Sequence, residues 1–326
     1  MIACPCALGI ATPLAMWNAI ERAARQGIFI RNGEILEKLS AVRTIFFDKT
    51  GTLTTGAPTL QRIETDGDSN ELLRRAASLE KHSEHPLARA IVAEAESQGL
   101  NLLPVNDVKV VPGRGITGSG IAVGNAAFVG TTGDGVFCRW DGRVQGRLIF
   151  GETARPDAVA TLRALEPRRL QVLSGDSQAA VDALGLPIPA RGGLLPEDKV
   201  RIVSEAAAGG TVAMVGDGIN DAPAIGRACV GIALGGGTDV TREAADVTFA
   251  DNELGKLPWL FALAAATRRT IRLNLFWALL YNVALIPVAA LGLLNPILAA
   301  GAMVVSSVFV VSNSLRLRRR SVAVAR

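Results

Sequence analysis

The chain reads as an α/β protein, a doubly wound parallel sheet interrupted by an inserted α+β domain and followed by membrane-spanning helices. Three observations carry that reading. Short apolar runs alternate with helical segments through residues 147–257, the βα pattern of a parallel sheet. Residues 58–146 break the alternation with a helical hairpin and short strands punctuated by glycine, which marks an insertion. Residues 273–315 are almost wholly apolar and contain no Asp, Glu or Lys.

The elements follow in order. Residues 1–13 are apolar but too short to cross a bilayer alone, and look like the end of a membrane helix. Residues 14–57 form a connector helix and the first part of the sheet domain, with Ile45-Phe46-Phe47 as a buried strand. After the insertion come strands at 170–173, 211–215 and 230–234 and helices at 196–208 and 221–228. A hairpin of two membrane helices, 273–294 and 296–315 within a 258–315 segment, turns at Gly292-Leu293-Leu294-Asn295-Pro296. Arg268, Arg269 and Arg272 on one side and the basic tail 316–326 on the other place both outer ends in the cytoplasm. The net charge of +4 comes from such clusters, which flank apolar segments without interleaved aromatics, so nucleic-acid binding is disfavoured. Four cysteines and no secretory signal give no disulfide framework.

The densest chemistry is Asp48-Lys49-Thr50-Gly51-Thr52-Leu53-Thr54. It sets one carboxylate at the carboxyl end of a buried strand, where open α/β sheets bind ligands, ahead of a turn rich in anion-binding N–H groups and hydroxyls. Such a carboxylate can attack phosphorus and become an acyl phosphate. With Thr50 two places on, no second Asp stands ready to activate water, so the acyl phosphate should persist. Residues 212–221 form a second motif, a strand delivering Asp217 and Asp221 to a Gly-rich turn suited to a hard cation. No Gly-x-x-x-x-Gly-Lys loop occurs, which excludes a P-loop ATPase. Gly113-Arg114-Gly115-Ile116-Thr117-Gly118 matches a dinucleotide fingerprint, but the residues after it read as a strand and not the helix the fingerprint needs.

The seven-residue motif resembles the phosphorylation motif of P-type ATPases, and the fold it implies is haloacid-dehalogenase-like. The resemblance implies that Asp48 is the phosphorylated residue, with Lys49, Thr50, Ser174, Asp176, Lys199 and Asn220 beside it in catalysis. It implies a Mg2+ site of Asp48, Thr50, Asp217 and Asp221. The insertion resembles the nucleotide-binding domain of the heavy-metal subfamily, in which Glu80, His85, Gly113, Gly115, Gly124 and Asn125 would surround the adenosine of ATP. Cys4-Pro5-Cys6 offers soft thiolates beside a proline-disrupted membrane backbone, a ligand set that selects Cu(I). Neutral Tyr281, Asn282, Met303 and Ser306 complete that set, and no carboxylate lies between Ile271 and Leu315 to favour a divalent ion. This combination resembles the copper(I) branch. Cys138 and Cys229 read as packing residues.

The expected activity is therefore ATP-driven export of Cu(I) or Ag(I) through an aspartyl phosphate, from a bacterial plasma membrane with the catalytic domains cytoplasmic. A copper chaperone is the expected donor of the ion. The resemblance also implies further membrane helices and a domain with a Thr-Gly-Glu loop that hydrolyses the aspartyl phosphate; no Thr-Gly-Glu occurs in these residues. The expectation is a C-terminal catalytic part, completed by a longer reading frame or a separate chain, that phosphorylates itself but turns over slowly alone. Two rivals remain, a membrane-tethered phosphatase and an inactive fragment that binds only nucleotide or metal.

Overall fold

The computed structural model describes residues 6–217, 221–235, 243–291 and 295–319. Helix α1 (Cys6–Arg25) leads through strand β1 (Ile28–Ile30) and helix α2 (Glu34–Ala41) to strand β2 (Thr44–Asp48) and an irregular turn over Lys49–Leu53. The insertion follows as β3 (Thr54–Thr65), α3 (Ser69–Glu80), α4 (Pro86–Ser97), β4 (Lys109–Val111), β5 (Gly115–Gly118), β6 (Ile121–Gly124), α5 (Ala126–Val129), β7 (Val136–Trp140) and β8 (Arg143–Ala154). The chain returns through α6 (Ala158–Ala164), β9 (Arg169–Leu173), α7 (Gln178–Asp182), β10 (Ala190–Arg191), α8 (Pro196–Gly209), β11 (Val212–Gly216), α9 (Ala222–Arg227), β12 (Val230–Ala233) and β13 (Val247–Phe249). Two long helices end the described chain, α10 (Leu257–Ala290) and α11 (Pro296–Arg319).

These elements form two compact units, one of residues up to Leu53 and from Arg155 onward, the other Thr54–Ala154. The first holds a seven-stranded sheet ordered β1-β13-β12-β11-β2-β9-β10. It is parallel except where β1 pairs antiparallel with β13. Parallel strands are covered on both faces and so need apolar residues at every position. Strand β2 meets that need by alternation. Ile45 and Phe47 enter one core with α2, α6 and the start of α10. Phe46 enters the other, with Met214 of β11 and Val203 of α8.

The second unit is a six-stranded sheet ordered β3-β8-β7-β6-β5-β4, antiparallel throughout. Its α3–α4 hairpin packs Leu72, Leu73, Leu79 and Ile91 into a separate core. Its bounds are wider than 58–146 because β3 and β8 pair along their length, from Thr54 opposite Ala154 to Thr65 opposite Gly146. The Asp68 carboxylate caps α3 by accepting the Asn70 N–H at 2.9 Å.

Two expectations at the chain ends need correction. Helix α1 runs continuously through Pro13, rather than breaking between a remnant and a connector. Proline removes one intrahelical donor without ending a helix that neighbours hold, and α1 packs Ala11 against Ala278 and Val310. Helix α10 begins at Leu257, well before 273, because Leu257, Leu260, Phe261 and Leu263 are core residues of the sheet unit. Both α10 and α11 are long and apolar enough to cross a membrane. Where α1, α10 and α11 meet, Asn274 donates to the Ser314 hydroxyl at 2.9 Å and accepts from Asn313 at 2.7 Å, while Asn18 donates to the Ser314 carbonyl. This buried amide cluster satisfies its own polar atoms, as an apolar surrounding demands.

Phe47 is fully buried at the centre of the sheet core. Phe47→Ala is expected to cost about 3–5 kcal/mol, measured by urea unfolding of the chain in detergent micelles. A loss under about 1 kcal/mol would contradict this packing.

Candidate active site and nucleotide pocket

The strand order builds the first site. Because β11, β2 and β9 are neighbours, the residues at their carboxyl ends converge: Asp217 after β11, Asp48 ending β2 and Ser174 after β9. Carboxylate oxygens of Asp48, Asp217 and Asp221 all lie within 4.8 Å of one another. Lys199, on the first turn of α8, sends its ammonium between two of them, 2.5 Å from Asp48 Oδ1 and 2.8 Å from Asp221 Oδ1. Pro196 at the first helical position and the Asp198 carboxylate, which accepts the Leu195 N–H at 3.2 Å, fix where that helix starts. Lys49 is buried and paired with the exposed Asp176. The Ser174 hydroxyl is buried and accepts the Asp176 N–H at 3.1 Å. Thr50 is exposed, and Asn220 lies outside the described residues.

Burial is the largest influence on Asp48 and the Asp221 charge adds to it, so its carboxyl is pushed up to about 7 against the opposing pull of Lys199. For Lys199, burial disfavours the ammonium, but the two carboxylates outweigh it and hold its pKa above the ordinary lysine value. Three carboxylates converge here, and Lys199 pairs with two of them, Asp48 and Asp221. Clustered carboxylate oxygens fit a hard divalent cation such as Mg2+. The turn is shaped for this closeness. Gly51 has φ +68°, and a Cβ there would lie 1.8 Å from Asp217 Oδ2, so no other residue fits without displacing the carboxylate.

Arg155, which carried no motif in the sequence, holds this turn. Its guanidinium donates to the Gly51 carbonyl at 2.7 Å, the Thr52 carbonyl at 2.9 Å and the Asn252 carbonyl at 2.8 Å. Only the fold brings residue 155 back beside residue 51, which is why local sequence could not reveal it.

The second unit contains its own cavity, about 860 Å3, and all six expected nucleotide residues line it. His85 caps α4, its Nδ1 accepting the Leu87 N–H at 3.2 Å, which places the ring proton of the neutral imidazole on Nε2. Asn125 caps α5 by accepting the Phe128 N–H at 2.9 Å and donates to the Gly113 carbonyl at 3.2 Å, tying the two glycine turns together. Gly115 and Gly124 face each other so closely that a Cβ on either would come within 2.8 Å of the other's Cα. Gly118-Ser119-Gly120 turns β5 back into β6, so the glycine fingerprint leads to a strand. Glu80 is buried on this cavity's wall, and burial raises its carboxyl to about 7 against a lowering hydrogen bond with Ser83. Cys138 is fully buried; that burial and the nearby Glu80 charge push its thiol well above the usual range, so it is inert packing.

Of the expected membrane ligands, Cys4 lies outside the described residues, as do the side chains of Cys6, Tyr281 and Asn282. Met303 is half-buried, and the Ser306 hydroxyl is buried without a hydrogen-bond partner among the described residues.

With this geometry established, comparison with known proteins is decisive. Residues 42–228, more than half of the chain, match the haloacid dehalogenase-like hydrolase family. The "Cation-transporting P-type ATPase B" of Mycobacterium tuberculosis is 44% identical over 98% of this chain and 46% of its own length. The chain belongs to the haloacid dehalogenase-like hydrolases, in their P-type ATPase branch. The "Copper-transporting ATPase 1" of Rhizobium meliloti is 41% identical over 98% of this chain and 43% of its own length. Among solved structures, a zinc-transporting PIB-type ATPase in the E2.Pi state superposes with a TM-score of 0.86 at 37% identity, covering 98% of this chain and 57% of that one. The catalytic domain of the CPx-ATPase CopB-B matches at 33% identity and TM-score 0.60, covering 74% of this chain and 98% of that domain. The chain spans about half the length of the curated relatives it matches. The Asp48 cluster sits inside the matched hydrolase region.

Two outcomes follow from the electrostatics. Millimolar Mg2+ is expected to raise the thermal midpoint of the chain, and Asp217→Asn to abolish most of that rise, read by scanning fluorimetry without nucleotide. An equal rise in both proteins would place the cation elsewhere. For Glu80, the folded state binds the proton more tightly than the unfolded state, so its contribution is full below pH 4.5 and is lost as pH rises through about 7. Unfolding free energy should therefore fall by up to about 3 kcal/mol across that window, and Glu80→Gln should flatten the profile.

Proposed function

We propose that this chain carries the phosphoryl-transfer core of an ATP-driven exporter of Cu(I), with Ag(I) as an alternative cargo, acting through an aspartyl phosphate. The single observation that carries the reading is the buried Asp48 carboxylate held by Lys199 beside Asp217 and Asp221. An Asp48 oxygen attacks the γ-phosphorus of ATP; the new O–P bond forms as the bond to the β,γ-bridging oxygen breaks, and ADP leaves. Asp48, Asp217 and Asp221 would hold Mg2+, with Thr50 contributing, and the ion when bound would offset negative charge on the transferring group. Lys199 opposes the rise that burial and Asp221 impose on Asp48 and so favours its ionised, attacking form; as the carboxylate's charge passes to phosphate, the ammonium is placed to attract the phosphoryl oxygens. The Ser174 hydroxyl, Lys49 and Asp176, and Asn220, which lies outside the described residues, are the further groups assigned to the transferred phosphate. Thr50 has no basic group to activate water, so the acyl phosphate is protected from simple hydrolysis.

In the second unit, Glu80, His85, Gly113, Gly115, Gly124 and Asn125 bind the adenosine part of ATP. Copper(I) is bound by Cys4 and Cys6 with Tyr281, Asn282, Met303 and Ser306 in the membrane helices. The thiolates of Cys4 and Cys6 support a soft cargo, and the absence of Asp and Glu from α10 and α11 supports a monovalent ion over a zinc-like one. The location is a bacterial plasma membrane, with the seven-stranded sheet of the first unit and the second unit in the cytoplasm. A chaperone delivers the ion, and a further segment or chain hydrolyses the aspartyl phosphate.

The test is incubation of the full chain with γ-labelled ATP and Mg2+. Label that survives acid, is released by hydroxylamine and is lost in Asp48→Asn by at least about 100-fold is expected. Label persisting in Asp48→Asn, or rapid release of phosphate from small phosphomonoesters by the chain, would sink the reading. On the cargo side, Cu(I) binding in competition with a chromophoric chelator should drop in a Cys4→Ser, Cys6→Ser double variant.

A further inference from the structure

The cavity in the second unit is larger than the set of residues assigned to adenosine. Those residues come from the end of α3, the α3–α4 link and the segment from β4 to the start of α5. The cavity is also lined by Asp134 to Val136 and by Arg147, Ile149 and Phe150 of β8. Three acidic residues, Glu80, Glu84 and Asp134, and two arginines, Arg114 between the two glycines and Arg147 on β8, lie in the lining. The phosphates of a nucleotide call for charged N–H donors, and Arg147 is one that the adenosine set does not include.

Arg147 is engaged in a way that leaves it available. Its Nε donates to Glu64 Oε2 at 2.5 Å and its Nη1 to the Asp134 carbonyl at 3.3 Å, which uses two of five N–H donors. The pair is about one-third exposed, with side-chain exposures of 36% and 32%. Glu64 also pairs with Arg62, so its carboxylate keeps a counter-charge when Arg147 turns away. An exposed pair with a substitute partner is cheap to exchange.

We propose that Arg147 reads the phosphate chain of the bound nucleotide, leaving Glu64 to Arg62 when it does so. Arg147 is thus a specificity-determining residue that separates nucleotides from nucleosides. The inference rests on the nucleotide reading of this pocket and extends it to a lining residue of β8. A purely structural role is the competing account: Arg147 would tether the 131–135 loop between β8 and the cavity. The two accounts differ in sign. Cutting a tether at either end harms the pocket for every ligand, whereas removing Glu64 frees a ligand-reading arginine from its competitor.

The experiment is calorimetric titration of the full chain in detergent with adenosine and with ADP at fixed ionic strength. Arg147→Gln is expected to weaken ADP about tenfold and leave adenosine unchanged. Glu64→Gln is expected to tighten ADP about threefold, again with adenosine unchanged. Arg147→Lys, which keeps the charge, should retain most of the preference for ADP and serves if the glutamine variant does not fold. Equal weakening of both ligands in both variants, or no change in any, would overturn the proposal. Failure of the unaltered chain to bind adenosine and ADP at all would instead remove the nucleotide reading itself.

Discussion

A lysine ammonium shared by two buried carboxylates sets the terms for the rest of the first unit. Lys199 touches both Asp48 and Asp221, and all three side chains are buried. Burying such charges is costly unless each is paired and hydrogen-bonded. The surroundings follow from that constraint. Gly51 gives up its Cβ so that Asp217 can approach, and Arg155 holds the carbonyls of the same turn in place. Carboxylate oxygens of Asp48, Asp217 and Asp221 set this close together suit a hard divalent cation, which is what the phosphoryl-transfer proposal draws on.

The second unit solves a different problem by other means. Its core of Leu72, Leu73, Leu79 and Ile91 is independent, and its cavity is lined by backbone turns more than by charge. Gly115 and Gly124 meet without side chains between them, which lets β5 and β6 close while leaving N–H and C=O groups at the rim. Glu80 is the exception, a carboxyl buried in the wall whose proton affinity is raised by loss of water. A group poised this way can donate or accept a hydrogen bond, a useful property when the partner is a heterocycle.

The long helices join the sheet unit to the apolar hairpin without a break. Helix α10 begins inside the hydrophobic core and continues past Arg268, Arg269 and Arg272 into its apolar length. Its first turns therefore move with the sheet that carries Asp48. The Asn18, Asn274, Asn313 and Ser314 cluster fixes the register of α1, α10 and α11 where they meet. Arg22 donating to the Leu317 carbonyl and Arg318 pairing with Glu21 add contacts between α1 and α11 near the same level.

The linear order of residues alone settled the doubly wound class, the presence of an insertion, the apolar helices and the seven residues from Asp48 to Thr54, because each is a local pattern. A buried parallel strand must be apolar at every position, and a phosphate-binding turn must carry glycine and hydroxyls, whatever lies elsewhere. The family resemblance rested on such local motifs, and it extended to Lys199, whose own sequence reads as a surface helix start. What the tertiary structure decided was proximity. The neighbouring of β11, β2 and β9 brings residues 48, 174 and 217 together, and the return of the chain sets Arg155 on the Gly51 carbonyl. Arg147 in the lining of the second unit's cavity and the extension of α10 into the core belong to the same class. Hydrophobic periodicity reports which face a residue turns to the interior, but not which distant residue it meets there.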